Sequence, residues 1–137
     1  MAQIEWCDSH SVGIPALDDQ HKALVALTNQ LFLAIMRDEG PKELGRVLAE
    51  LARYADYHFD FEEQILTEHG FPESGFSHHR EEHRKLKSRV QTLLRQHEEG
   101  SVALDLDVYS FLREWMTEHM IGTDSEYAAF LASKAVR

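Results

Sequence analysis

The chain has 137 residues, 43% of them hydrophobic, which suits one domain able to bury a core without disulfides. Its formal net charge of -10, with no basic cluster to offset it, excludes phosphate-backbone binding, so no nucleic-acid partner is expected. No apolar run approaches the roughly 20 residues that span a bilayer. Met1 to His10 lack the basic start and apolar run of a signal peptide, and the single Cys7 has no internal partner, so a cytoplasmic setting without membrane insertion is expected.

An N-terminal arm covers residues 1–16. Asp18 and Asp19 then bring the negative charge favoured in a first helical turn, and helix one runs to about Glu39. Its inward line is Leu17, His21, Leu24, Leu31 and Ile35, helped by Val25 and Phe32. Gly40 and Pro41 mark the turn, Pro41 suiting the first position of helix two. Helix two carries Leu44, Val47, Leu48, Leu51, Ala55, His58, Glu62 and Ile65 three or four apart and stops near His69 and Gly70. Phe71 to Ser77, with Pro72 and Gly75, reads as a loop. Helix three begins near His78, follows His79, His83, Leu86, Val90, Leu93 and His97, and ends at Gly100. Helix four begins around Val102, presents Leu104, Val108, Phe111, Leu112, Trp115 and His119, and continues toward Asp124, Tyr127 and Leu131. Nothing alternates with a period of two. The expected fold is all-α, a single domain over 1–137 in which residues 17–137 form an antiparallel up-down-up-down four-helix bundle.

Histidines and carboxylates interrupt these apolar lines, and burying them is costly unless they are paired or bound to metal. Spacing alone does not select the functional ones, because HxxxE occurs three times, starting at His58, His69 and His78. His69 and Glu73 straddle Gly70 and Pro72, whereas His78 and Glu82 lead into Lys85 and Arg89 on a solvated face. Only His58 and Glu62 continue a buried line. A four-residue step keeps two side chains on one helical face, so His79 pairs with His83 while His78 points away. In the expected bundle His21, His58, Glu62, His79, His83, His119 and Asp124 converge at one end. Seven such groups suffice for two metal ions, and iron, zinc, copper and nickel all accept imidazole with carboxylate. No histidine follows a glutamate by three residues, so the ExxH steps of ferritin-like sites are missing. His119 and Asp124 are five apart, which in a regular helix turns the second side chain about 140° from the first. A wide turn, a π-bulge at Gly122, is expected to bring both inward.

Trp6, Val12-Gly13-Ile14, Leu17-Asp18-Asp19-Gln20-His21, His58-Phe59 with Glu62-Glu63, the His79 and His83 pair, and His119 and Asp124 with Tyr127 together resemble the hemerythrin family, in particular its single-domain bacteriohemerythrins. The resemblance implies a cofactor of two iron ions: one takes His79, His83 and His119, the other His21 and His58, and Glu62, Asp124 and an oxo or hydroxo group bridge them. The second iron would keep an open position for dioxygen. The implied function is reversible dioxygen binding for storage or delivery, without catalysis. A monomer is expected apart from the resemblance, with an oxygen-consuming protein of unknown identity as a partner. Competing readings are an oxygen or redox sensor acting through a separate partner, a redox enzyme turning over peroxide or nitric oxide, and an iron-handling protein. Leu24, Phe59, Trp115, Met116 and Met120 are the expected walls of the oxygen pocket, although any bundle core would bury them as well. Met116, one turn before His119, is expected to control access because a flexible thioether packs differently from a branched aliphatic. Tyr127 is expected to support Asp124 from behind. His10, His69, His78 and His97 carry no expected role.

Overall fold

The computed structural model describes residues 3–101, 103–119 and 124–134. A short 3-10 turn at Asp8–His10 precedes five α-helices: α1 (Pro15–Met36), α2 (Pro41–Glu68), α3 (Glu73–Glu98), α4 (Leu106–Glu118) and α5 (Asp124–Ser133). No strand occurs among the described residues, and no described helix is long and apolar enough to cross a membrane. α1 packs against α2 and α4, and α2 packs against α3.

The helix ends follow local chemistry. Pro15 and Pro41 open α1 and α2, where a missing N–H costs nothing. The Asp18 carboxylate accepts from the Ser11 hydroxyl at 2.5 Å and the Val12 N–H at 2.8 Å, tying the arm to the first turn of α1. α1 stops at Met36, short of the expected Glu39, because Asp38 adopts a left-handed φ of 53° and the Glu39 N–H turns back to the Ala34 carbonyl.

Two further boundaries differ from expectation. α3 begins at Glu73 and absorbs most of the predicted loop, since Pro72 sets an entering φ of -54° and its carbonyl accepts from Phe76 N–H at 2.9 Å. Gly75 is thus a helical residue whose missing Cβ leaves room for the Phe71 ring, which would otherwise lie 2.9 Å from it. α4 starts at Leu106, because the Asp105 carboxylate caps the N–H groups of Asp107 and Val108. Val102, the expected start, lies outside the described residues. Of the expected fourth helix, the described parts are α4, ending at Glu118, and α5, starting at Asp124; residues 120–123 lie outside the described residues.

Two apolar clusters fill the interior. The larger includes Ile4, Leu24, Leu48, Phe59, Leu86, Leu112 and Met116; the smaller includes Val12, Ile14, Leu17, Leu66, Phe76, Tyr127 and Leu131. Along the helices His21 falls between Leu17 and Leu24, Glu62 between Phe59 and Leu66, His79 and His83 between Phe76 and Leu86, and His119 and Asp124 between Met116 and Tyr127, while His58 adjoins Phe59 of the larger cluster. The polar groups therefore form a layer between the two clusters, with hydrocarbon on both sides.

The arm is held to α1 at two points, where Asn29 Oδ1 accepts from Ile4 N–H and Asn29 Nδ2 donates to the Ile4 carbonyl, both at 2.8 Å. Replacing Asn29 with Ala should cost about 1 to 2 kcal/mol, the worth of two partly buried neutral hydrogen bonds. Chemical denaturation measures that loss, and unchanged exchange of the Ile4 amide hydrogen would contradict the clamp.

Candidate metal centre

The seven expected ligands are contributed by all parts of the helical chain. His21 comes from α1, His58 and Glu62 from α2, and His79 and His83 from α3; His119 follows the end of α4, and Asp124 opens α5. All seven are buried, none more than 4% exposed. His119 lies in a wide, π-type turn, and both it and Asp124 are buried in the layer. Gly122, the expected seat of that turn, lies outside the described residues. Asp124 occupies a helix N-terminus, where the peptide dipoles favour a carboxylate.

The two carboxylates each face two ways. Glu62 Oε1 lies 2.9 Å from His79 Nε2, 3.1 Å from His83 Nε2 and 3.9 Å from His119 Nε2. Its Oε2 lies 3.0 Å from His58 Nε2 and 3.5 Å from His21 Nε2. Asp124 repeats the pattern, with Oδ1 2.9 Å from the Nε2 atoms of His79 and His119 and Oδ2 3.1 Å from His21 Nε2. Glu62 with His79, His83 and His119, and Glu62 with His21 and His58, each group ligand atoms closely enough to hold one cation.

Protein contacts alone leave this layer unsatisfied. Among the described residues, both ring nitrogens of His21, His58 Nε2, Glu62 Oε1 and Asp124 Oδ2 are buried without a hydrogen-bond partner. Buried polar atoms are rarely left so, and an imidazole and carboxylate donor set fits a cation of the iron or zinc type. The electrostatics agree. Burial opposes charge on His21 and His79, yet the close carboxylates of Asp124 and Glu62 outweigh it and raise both to about 10. His83 is raised in the same sense by Glu62 and Glu63 against its burial, whereas burial dominates at His58 and lowers it. Despite their own burial, Glu62 and Asp124 are held well below the usual carboxylate range by the surrounding imidazoles.

Three side chains brace the layer. The Tyr127 hydroxyl donates to Glu62 Oε2 at 2.9 Å, so its partner is Glu62 and not the expected Asp124. His58 Nδ1 lies 2.7 Å from Gln20 Oε1, and His83 Nδ1 lies 2.9 Å from Glu63 Oε2. Sequence reasoning assigned no role to Gln20 or Glu63. The available signal was position: Gln20 is four residues before inward Leu24, and Glu63 adjoins Glu62.

Aromatic and aliphatic side chains close around the ligands. Phe59 stacks on His83 with ring centroids 3.9 Å apart, and half-buried Trp115 stacks on His119 at 4.4 Å. Phe59 and Met116 also line a narrow apolar cavity of about 20 Å³ between α2, α3 and α4, shared with Ala55, Leu86 and Val90. Leu24 is buried in the larger cluster. Met120 lies outside the described residues.

The remaining histidines stay apart from the ligands. His69 Nδ1 donates to the Ile65 carbonyl, His97 Nε2 donates to the Pro41 carbonyl at 2.7 Å, and exposed His78 sits 3.6 Å from Glu82. His10 is buried beside Trp6, and its Nδ1 accepts from Cys7 N–H. Cys7 is exposed.

A helical protein with two histidine sets joined by shared carboxylates is a cation-binding domain in its design. The comparisons identify which one: the pattern of the Hemerythrin HHE cation binding domain matches residues 12–131, and the chain belongs to the hemerythrin family. It is 29% identical over 128 residues to a bacteriohemerythrin of Stenotrophomonas maltophilia, covering 93% of this chain and 81% of that one. It is 27% identical to a bacteriohemerythrin of Methylococcus capsulatus, covering 97% of this chain and all of that one. A wild-type hemerythrin crystal structure superposes with a TM-score of 0.87 at 26% identity, covering 93% of this chain and 97% of that one.

The raised His21 and His79 stabilise the metal-free fold fully below about 6.5, the ordinary histidine value, and lose that contribution as pH rises through about 10. Glu62 and Asp124, held low, contribute above the usual carboxylate range and lose it in acid. A bound cation must displace the protons on His21 and His79, so the rise in melting temperature caused by zinc should grow from about pH 5.5 to about pH 8. Calorimetry in buffers of different ionisation enthalpy should register proton release on loading, and its absence near pH 7 would contradict these protonation states.

Proposed function

We propose that this protein binds dioxygen reversibly at a pair of non-haem irons and serves storage or delivery rather than catalysis. The supporting observation is the division of each buried carboxylate between the two histidine sets, the arrangement needed for two cations sharing two bridges. In this assignment His79, His83 and His119 would hold one iron, His21 and His58 the other, and Glu62 and Asp124 would be shared by both. The half with two histidines has fewer protein donors and would be the one to take a small ligand. The names of its bacteriohemerythrin relatives point the same way. The unit of function is the whole chain, 1–137, as a cytoplasmic monomer: an antiparallel four-helix bundle in which α4 and α5 together form the fourth member.

An iron pair bound here would supply the reversible two-electron chemistry that dioxygen binding requires. The protein's part is to hold the ligands and exclude water. Hydrogen bonds at Nδ1 of His58 and His83 fix each ring with Nε2 turned inward, and Tyr127 holds Glu62 by the oxygen that faces His58. Phe59, Trp115, Leu24 and Met116 supply an apolar lining that keeps external protons away.

Two measurements test this. The reduced iron-loaded protein should gain visible charge-transfer absorption on exposure to oxygen and lose it under argon over repeated cycles, whereas rapid one-way conversion to the ferric form would favour an enzyme or sensor. Met116→Ala should shorten the lifetime of the oxygenated form roughly tenfold, the equivalent of about 1.4 kcal/mol in the barrier. Met116→Leu, which conserves volume, should restore most of it, and an unchanged lifetime in the alanine variant would remove Met116 from the access route.

A further inference from the structure

We propose that Gln20 and Glu63 act as a pair of positioning residues that make the two halves of the centre chemically unequal, with Glu63 directing the more highly charged cation to the half with three histidines. The inference rests on the ligand assignment above and adds to it an order between the two metal positions.

The argument begins with two hydrogen bonds of matching geometry. Gln20 Oε1 and Glu63 Oε2 can only accept, so Nδ1–H of His58 donates to the first at 2.7 Å and Nδ1–H of His83 donates to the second at 2.9 Å. In the neutral form that binds a cation, both rings then carry their free lone pair on Nε2. These atoms lie 3.0 and 3.1 Å from opposite oxygens of Glu62, one in each half. What differs is the charge of the acceptor. A neutral carboxamide only orients the His58 ring, while a carboxylate draws on the His83 proton and shifts electron density toward Nε2, making that nitrogen the stronger donor.

Two observations keep the difference from being averaged away. Phe59 stacks on His83 at 9° between ring planes, fixing the imidazole in the plane that the Glu63 bond requires. Nδ1 of His21, His79 and His119 has no hydrogen-bond partner among the described residues, so no second carboxylate balances the first. Glu63 is 29% exposed, and water therefore weakens its field at long range, but not the direct bond to His83. The stronger donor and the additional anion both lie on the side of His79, His83 and His119.

The test compares the full-length protein with Glu63→Gln, Gln20→Glu and the double exchange. In zinc titrations against a competing chelator, Glu63→Gln should weaken one of two binding steps about 10- to 100-fold and leave the other in place, while Gln20→Glu should strengthen the other. In iron-loaded protein oxidised by one electron, Mössbauer spectra should show the ferric ion in the half with three histidines, and the double exchange should move it to the other half. The unmodified zinc protein supplies a check independent of variant folding: the His83 Nδ1 proton should resonate well downfield of the His58 Nδ1 proton. Equal proton shifts, equal effects of Glu63→Gln on both steps, or an unmoved ferric ion in the double exchange would overturn the inference. Uptake of fewer than two zinc ions by the unmodified protein would overturn the ligand assignment itself, and this inference with it.

Discussion

The rest of the structure depends on keeping two fully buried carboxylates compensated. Glu62 and Asp124 are both 0% exposed and meet at His79, whose Nε2 lies 2.9 Å from an oxygen of each. Two anions so close, in a region without water, repel strongly unless positive charge lies between them. Imidazolium groups supply it in the metal-free protein, and cations supply it in the loaded one. The compensating groups come from all the helices, so the same contacts set how the helices meet. α1 reaches α2 through His21 and Glu62, α2 reaches α3 through Glu62 with His79 and His83, and α5 is drawn to α1 and α3 by Asp124. A shift of one turn in any helix would leave a buried charge unpaired, a cost of several kcal/mol that hydrophobic packing alone does not impose so sharply.

Periodicity exposes what lies on a regular helical face and little else. His21, His58, Glu62, His79 and His83 follow three- and four-residue steps from buried apolar neighbours, Ala55 in the case of His58, so facing alone brings them to the layer. His119 and Asp124 break that rule: both are buried, and His119 lies in a π-type turn that a regular stripe does not reveal. Gln20 and Glu63 stayed hidden for a different reason. They touch Nδ1, the far side of each ring, and stand beside a ligand rather than on the ligand line, where periodicity reads only a shoulder position. His10 was equally obscure, since it is buried from an arm that has no helical repeat to reveal it. Similar local causes shifted the boundaries: a left-handed Asp38, an opening Pro72 and a capping Asp105 act over one turn, below the reach of a stripe of apolar residues.

The expected convergence at one end of the bundle becomes something more specific in the structure. Leu17, Leu66, Phe76, Tyr127 and Leu131 lie beyond the polar layer, so the site is sealed by hydrocarbon on the side where the helices end. This cap also brings in Val12 and Ile14, which makes the N-terminal arm part of the seal. Tyr127 joins the two functions, since its ring packs in the cap while its hydroxyl holds Glu62. The expected partner, Asp124, lies only one turn earlier on the same helix, whereas Glu62 is on α2, so the bond couples the short fifth helix to the long second one.

That coupling determines how cation binding and folding depend on each other. The larger cluster contains no expected ligand and joins α1, α2, α3 and α4 through Leu24, Leu48, Leu51, Leu86 and Leu112, so most of the helical core has hydrophobic support of its own. The smaller cluster is different. Its share of α5 is ten residues long at most, and a helix of that length is marginal without tertiary contacts. Its anchors are Asp124 and Tyr127, both committed to the polar layer. The stabilisation gained when cations replace protons must therefore fall most heavily on α5 and on the arm residues Val12 and Ile14 that share its cluster. The long helices provide the preformed half of the site, and the fifth helix closes it.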